Sequence, residues 1–176
     1  NKELSNIKQV QSKVVESQNI NCNDIKLNNC TIINNLLNKE NKNIKESMKI
    51  NNNIILKKFK SLYQENNDLA GWIKIDDTFI NYPVMYTPND KNFYLHKDWN
   101  KNDSQLGLPY IDERCNIQNS DNFIIYGHCM KSGKMFGGLK KYKNEEYCKN
   151  HNIIKFDMLN KENEYEIVSV FITNVG

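Results

Sequence analysis

The sequence predicts a mainly β domain, a barrel or a sandwich, preceded by helices. Three observations lead there. From residue 69 onward, short apolar runs alternate with turn residues at intervals of roughly 8–12 residues, the spacing of many short strands. Before that point apolar residues fall at helical spacing instead, as at Ile44, Met48, Ile55, Phe59 and Leu62. The last run, residues 164–174, is apolar on both faces, with Val168, Val170 and Ile172 on one and Tyr165, Ile167 and Phe171 on the other. Such a strand is expected to be buried on both sides, with neighbours on its edges.

In chain order, Leu4, Ile7, Val10 and Val14 suggest a first helix, and Ile32, Ile33, Leu36 and Leu37 a short second one. The helix through Phe59 and Leu62 is expected to pack its apolar face on the domain that follows. Strands are then predicted over 71–75 (GWIKI), 79–86 (FINYPVMY), 107–112 (GLPYID), 122–128 (NFIIYGH), 153–159 (IIKFDML) and 164–174 (EYEIVSVFITN). Asp76, Asp77 and Thr78 supply the first turn, and Pro83 belongs at an edge or bulge. NFYLHKDW reads as one helical turn, and KMFGGLKKY and EEYCKNH as short helical pieces. The 176 residues divide into an Asn- and Lys-rich helical segment, 1–52, and a β domain with its leading helix, 53–176.

Composition narrows the function. The net charge is +3 and the mean hydropathy −0.74, as for a domain with a modest core and a solvated surface. Residues 1–70 hold 11 lysines against 7 acids, and residues 71–176 hold 13 basic residues against 14 acids. No basic stripe tracks a phosphate backbone, so no nucleic-acid partner is expected. No apolar run approaches the roughly 18–20 residues of a membrane span. The chain starts at Asn1 without a signal-peptide pattern, and reads as an internal piece of a longer product.

The stretch YGHCM places a histidine beside a cysteine where a strand ends. On an extended strand successive side chains point to opposite faces, so His128 and Cys129 are expected to point apart and not to share a proton. Cys129 then reads as a small filler at the rim of the sheet. The residues alone leave His128 open between a structural and a catalytic role. Cys148 and His151 share a helix face, and with His128 or Cys115 could bind zinc, but standard ligand spacing is missing, so no metal or cofactor is expected. Five cysteines at irregular positions are not a disulfide framework; Cys22 and Cys30 could bridge locally, with free thiols the default.

GWIKI, YPV, FYLH, YGH and MFG-L-KY occur in this order between residues 69 and 142. Together with their flanking strands, over residues 69–174, they closely resemble the class B sortases of Gram-positive bacteria. The resemblance implies a sortase-type closed barrel of eight strands, of which six are present here. It implies a cysteine transpeptidase, in which a thiolate attacks the Thr carbonyl of a C-terminal sorting signal. A peptidoglycan-precursor or pilin amine then resolves the thioacyl-enzyme. His128 matches the catalytic histidine at the end of YGH, and Leu95 in FYLH a wall of the sorting-signal groove. The same resemblance implies an enzyme on the outer face of the cell membrane, held by an N-terminal transmembrane helix that this sequence lacks.

The sequence departs from the family at two positions. The family's nucleophile lies in a TLxTC-like motif ending the seventh strand, and its arginine on the eighth; neither motif occurs here. The single arginine, Arg114, follows the third strand. The chain as given is therefore expected to be inactive, with its open barrel edge free to dimerise. The alternative is a degenerate sortase-like module that binds a peptide or partner without cutting it.

Overall fold

The hub of the sheet is β1 (Leu69–Lys74), buried along all but its last residue. The structure is a computed structural model and describes residues 55–120 and 122–173; the expectations for residues 1–52, Cys22 and Cys30 among them, lie outside these. Antiparallel β2 (Asn81–Met85) lies on one side of β1 and antiparallel β5 (Ile153–Met158) on the other. Two covered edges and the burial of its first five residues explain why the β1 sequence is apolar up to Lys74. The β1–β2 turn is held by Thr78, whose hydroxyl donates to Ile75 O (2.8 Å) and accepts from Ile80 N (3.0 Å). Beyond β2 come a parallel β3 (Tyr110–Ile111) and an antiparallel β4 (Ile125–Tyr126); beyond β5 comes an antiparallel β6 (Glu164–Glu166). The order is β4-β3-β2-β1-β5-β6.

Pro83 is opposite Trp72 on β1, while β3 meets β2 only at Met85. The missing N–H of Pro83 therefore costs no ladder bond, and a proline fits inside a strand that is central by order.

The sheet curls. β4 and β5 are separated by three strands, yet Phe123, just before β4, meets Phe156 of β5 with ring centroids 6.4 Å apart. Ile73 and Ile75 of β1 and its turn, Ile154 and Phe156 of β5, Ile125 of β4 and Tyr165 of β6 line one concave apolar cleft of about 430 Å³. The result is six strands of a barrel wall, open on one side.

The helix expected through Phe59 and Leu62 is described from Lys57: a 3-10 turn (Lys57–Phe59) leads into α1 (Lys60–Glu65). Phe59 and Leu62 are fully buried in the sheet's core, as their spacing predicts. Lys58 donates to Asp157 (2.7 Å) and Glu162 (2.5 Å), tying this segment to the β5–β6 hairpin. Burial opposes the Lys58 charge, but the two carboxylates outweigh it and raise its pKa.

Three predicted strands are much shorter than expected, and the one over 107–112 contracts to the two residues of β3. The strand over 122–128 contracts to β4, because its ladder with β3 spans only two residue pairs before the chain turns at Gly127. The strand over 164–174 contracts to β6, with one further backbone bond from Ile167 N to Asn152 O. It is not buried on both faces: Val168 is 96% exposed, Phe171 79% and Ile172 66%. Two-sided apolarity gave the capacity of this segment for burial, but β6 is the outermost strand, and nothing among the described residues covers it.

Candidate active site

The site is assembled around the backbone of FYLH. Phe93–Leu95 form a 3-10 turn, entered from Asn92 in the left-handed region (φ 61°). Tyr94 is fully buried and anchors it: its hydroxyl donates to Asp68 Oδ2 (2.8 Å) and accepts from Asn66 Nδ2 (2.9 Å). Burial pushes the Tyr94 phenol well above its usual range, so it stays a neutral donor. Two further bonds clamp the turn from the other side, Leu108 N to Tyr94 O and Ser104 N to His96 O, both 2.9 Å. Between them lies Gly107, at φ +56°. A Cβ there would sit 2.6 Å from Tyr94 O and closer still to Leu95 O. Only glycine allows both the conformation and the approach.

The Leu95 carbonyl so fixed meets His128, with Nε2 to Leu95 O at 2.8 Å. A carbonyl can only accept, so Nε2 carries the hydrogen. In the neutral ring Nδ1 is then the free base. His128 is half-buried, just beyond β4. Its own carbonyl accepts from Phe136 N (2.9 Å), and the Phe136 ring fills the space over Gly127, where a Cβ would lie 2.7 Å from the ring. Histidine backbone and imidazole are thus both tethered, each to a different segment.

Cys129 differs from its expected place. It is exposed rather than filling the sheet's rim, and it bridges to Met135 across the following turn. β4 ends at Tyr126, so no sheet remains there to pack a filler against.

Leu95 does two things. Its side chain is half-exposed and packs on the core, and its carbonyl holds His128. The sequence pointed to the side chain and missed the carbonyl. Arg114 lies elsewhere, donating through Nε (2.9 Å) and Nη2 (2.7 Å) to Asp112, which also accepts from the Tyr126 hydroxyl (2.9 Å). The guanidinium holds the Asp112 carboxyl far below the usual carboxylate range. This cluster braces the β3–β4 pair.

The residues considered for zinc are dispersed. Cys115 is buried, its Sγ accepting from Ile124 N. His151 caps α2 (Glu145–Asn150), with Nδ1 against Tyr147 O at 2.8 Å and its ring stacked on Tyr147. Among the described residues no three metal-ligating side chains gather.

Comparison with known proteins decides the family. No protein-family model matches the chain. A solved structure of sortase B from Bacillus anthracis is 33% identical to it, with a TM-score of 0.64, over 84% of this chain and 69% of that one. The chain belongs to the class B sortase family. Sortase B of Listeria monocytogenes is 34% identical over 115 residues, 65% of this chain and 46% of the relative. Sortase B of Staphylococcus aureus is 34% identical over 110 residues, 62% of this chain and 44% of the relative. This class B sortase chain therefore spans just under half the length of the curated relatives it matches. Its curled six-strand wall and the short helical pieces around it are the sortase B fold. No helix among its described residues is long and apolar enough to cross a membrane.

Proposed function

We propose that this chain carries the acid–base half of a sortase B-type cysteine transpeptidase working at the bacterial cell surface. One observation carries the reading: His128 is anchored through Nε2 to the clamped Leu95 carbonyl, which leaves Nδ1 for proton transfer. An imidazole with a reference pKa of roughly 6.5 suits both halves of an acyl transfer. It protonates the leaving amine when the peptide bond after Thr breaks, and takes a proton from the incoming amine when the thioester is resolved. The substrate is a C-terminal sorting signal. The acceptor is an amine of a peptidoglycan precursor or a pilin. The half-exposed Leu95 side chain forms a wall of the peptide groove.

In this reading the nucleophilic thiol and the oxyanion-binding arginine are not among these 176 residues. Arg114 is committed to Asp112, and Cys129 follows the strand that carries the histidine rather than facing it from another. The chain alone turns over no peptide.

The test is a hybrid in which the seventh and eighth strands of a class B sortase follow this chain. We expect cleavage of a fluorogenic sorting peptide, lost by about 100-fold or more in His128→Gln. Turnover indifferent to His128→Gln would overturn the assignment. A folded hybrid that binds the peptide without cleaving it would favour the non-catalytic binding module.

A further inference from the structure

The Leu95 carbonyl orients the His128 ring only while the chain is gripped on both sides of residue 95. Asn66 supplies that grip from another part of the fold. It stands where α1 gives way to β1: its N–H donates to Leu62 O (2.9 Å) and its carbonyl accepts from Leu69 N (3.2 Å). The residue is only 3% exposed. Its Nδ2 donates to the Tyr94 hydroxyl (2.9 Å), just before Leu95, and to Trp99 O (2.8 Å), just after it. Its Oδ1 accepts from Asp68 N (3.0 Å). A carbonyl can only accept and a backbone N–H only donate, so Trp99 O and Asp68 N leave the amide one way round. The Tyr94 hydroxyl passes the chain of bonds on to Asp68 Oδ2 (2.8 Å), which Lys101 also meets at 2.8 Å. A closed ring of hydrogen bonds, Asn66 to Tyr94 to Asp68 and back, thus lies under the turn.

We propose that Asn66 is a positioning residue for His128: its buried amide holds the chain before and after Leu95 and so aims the carbonyl that orients the imidazole. The inference rests on the reading of His128 as the acid–base group.

The place calls for two donors and one acceptor on a short planar side chain, which is what asparagine carries. Aspartate has the same shape but no donor. Its carboxylate would face Trp99 O and share the network with the Asp68 carboxylate. Alanine would leave Trp99 O and Asp68 N without this partner, in a place where lost hydrogen bonds are costly. A buried network with every member satisfied holds a single geometry. The geometry held here is that of the turn facing His128. Proton transfer depends on it, because a misplacement of about 1 Å can slow a reaction about 100-fold.

The experiment is NMR of the neutral His128 ring in this chain, in Asn66→Asp and in Tyr94→Phe. Ile80→Val, which trims a buried side chain just before β2, is the control for lost stability alone. The readouts are the two ring nitrogen shifts and the exchange of Nε2–H with water, assigned by their loss in His128→Gln. Asn66→Asp should move the ring shifts and speed the exchange by about 10-fold or more, as local opening becomes easier. Tyr94→Phe, which keeps the amide's bonds to Trp99 O and Asp68 N, should do the same to a smaller degree. Ile80→Val should do neither, although it too lowers the unfolding midpoint. In the hybrid with the seventh and eighth strands, Asn66→Asp should lower kcat by about 10-fold or more, and Ile80→Val should leave it unchanged. If Asn66→Asp does not fold, Tyr94→Phe decides alone. Ring shifts and exchange that match those of Ile80→Val would overturn the proposal. These signals need no turnover, so the failure of this inference is distinct from hybrid turnover indifferent to His128→Gln, which would remove the acid–base reading itself.

Discussion

The two ends of the same sheet contrast sharply. Near His128, backbone and side chains are tied down: Tyr94 is fully buried with two side-chain partners, Gly107 fills a gap that admits no Cβ, and Leu95 O is spent on the imidazole. Past β6, by contrast, Val168, Phe171 and Ile172 stand in the open, and among the described residues no strand lies beside the outer edge of the sheet. The difference teaches where the chemistry is prepared. The proposed proton-transfer residue, His128, is positioned by local contacts within residues 66–136 and does not depend on the open side. The open side offers the apolar cleft and an edge on which further structure can be built.

That contrast predicts unequal costs for mutation. The largest effect is expected at Phe59, fully buried against the sheet. Phe59→Ala should cost about 3–5 kcal/mol in urea unfolding, from lost burial and the cavity left behind. Next is Gly107→Ala, which meets a positive φ and the two carbonyls of the clamp. It should cost more than about 1 kcal/mol and release the His128 ring, seen as a change in the ring nitrogen shifts.

A smaller effect belongs to Asp76, which accepts from Lys155 and Lys74 at 2.6 Å each. The Lys155 hydrogen bond, with that of Lys74, pulls its carboxyl from 3.8 down to about 2. A depressed folded-state pKa gives stability that is present above pH 3.8 and lost as the pH falls toward 2. Asp76→Asn should therefore flatten the acid-unfolding profile within that window and lower neutral-pH stability by the same amount, a small one because exposed pairs contribute little.

The smallest effect on stability is expected at the open end. Phe171→Lys replaces a side chain that is 79% exposed and should shift unfolding by less than about 0.5 kcal/mol. It should instead weaken self-association through the edge beyond β6, measured by sedimentation. A concentration-independent monomer before and after the change would remove dimerisation from the account.

How far the sequence was legible follows the same division. GWIKI, the DDT turn, IIKFDML and the apolar pair Phe59 and Leu62 were readable because their signals are local: alternation, turn chemistry and helical spacing. FYLH and YGH were readable only through family resemblance, and the contact between them was not readable from either. A backbone carbonyl meeting an imidazole 33 residues away leaves no periodic trace. The glycine at position 107 was the one available signal that a backbone passes close by. The segment over 164–174 misled for the opposite reason, since apolar residues on two faces record what a strand could bury and not what lies beside it.

The central claim is that His128 is a prepared acid–base group whose thiol partner is not Cys129. The most direct measurement is a fluorogenic sorting-peptide assay of this chain and of Cys129→Ala, with peptide binding followed through the His128 and Leu95 NMR signals. The account predicts peptide-dependent shifts at both residues and no turnover by either protein. Turnover that Cys129→Ala abolishes would contradict it.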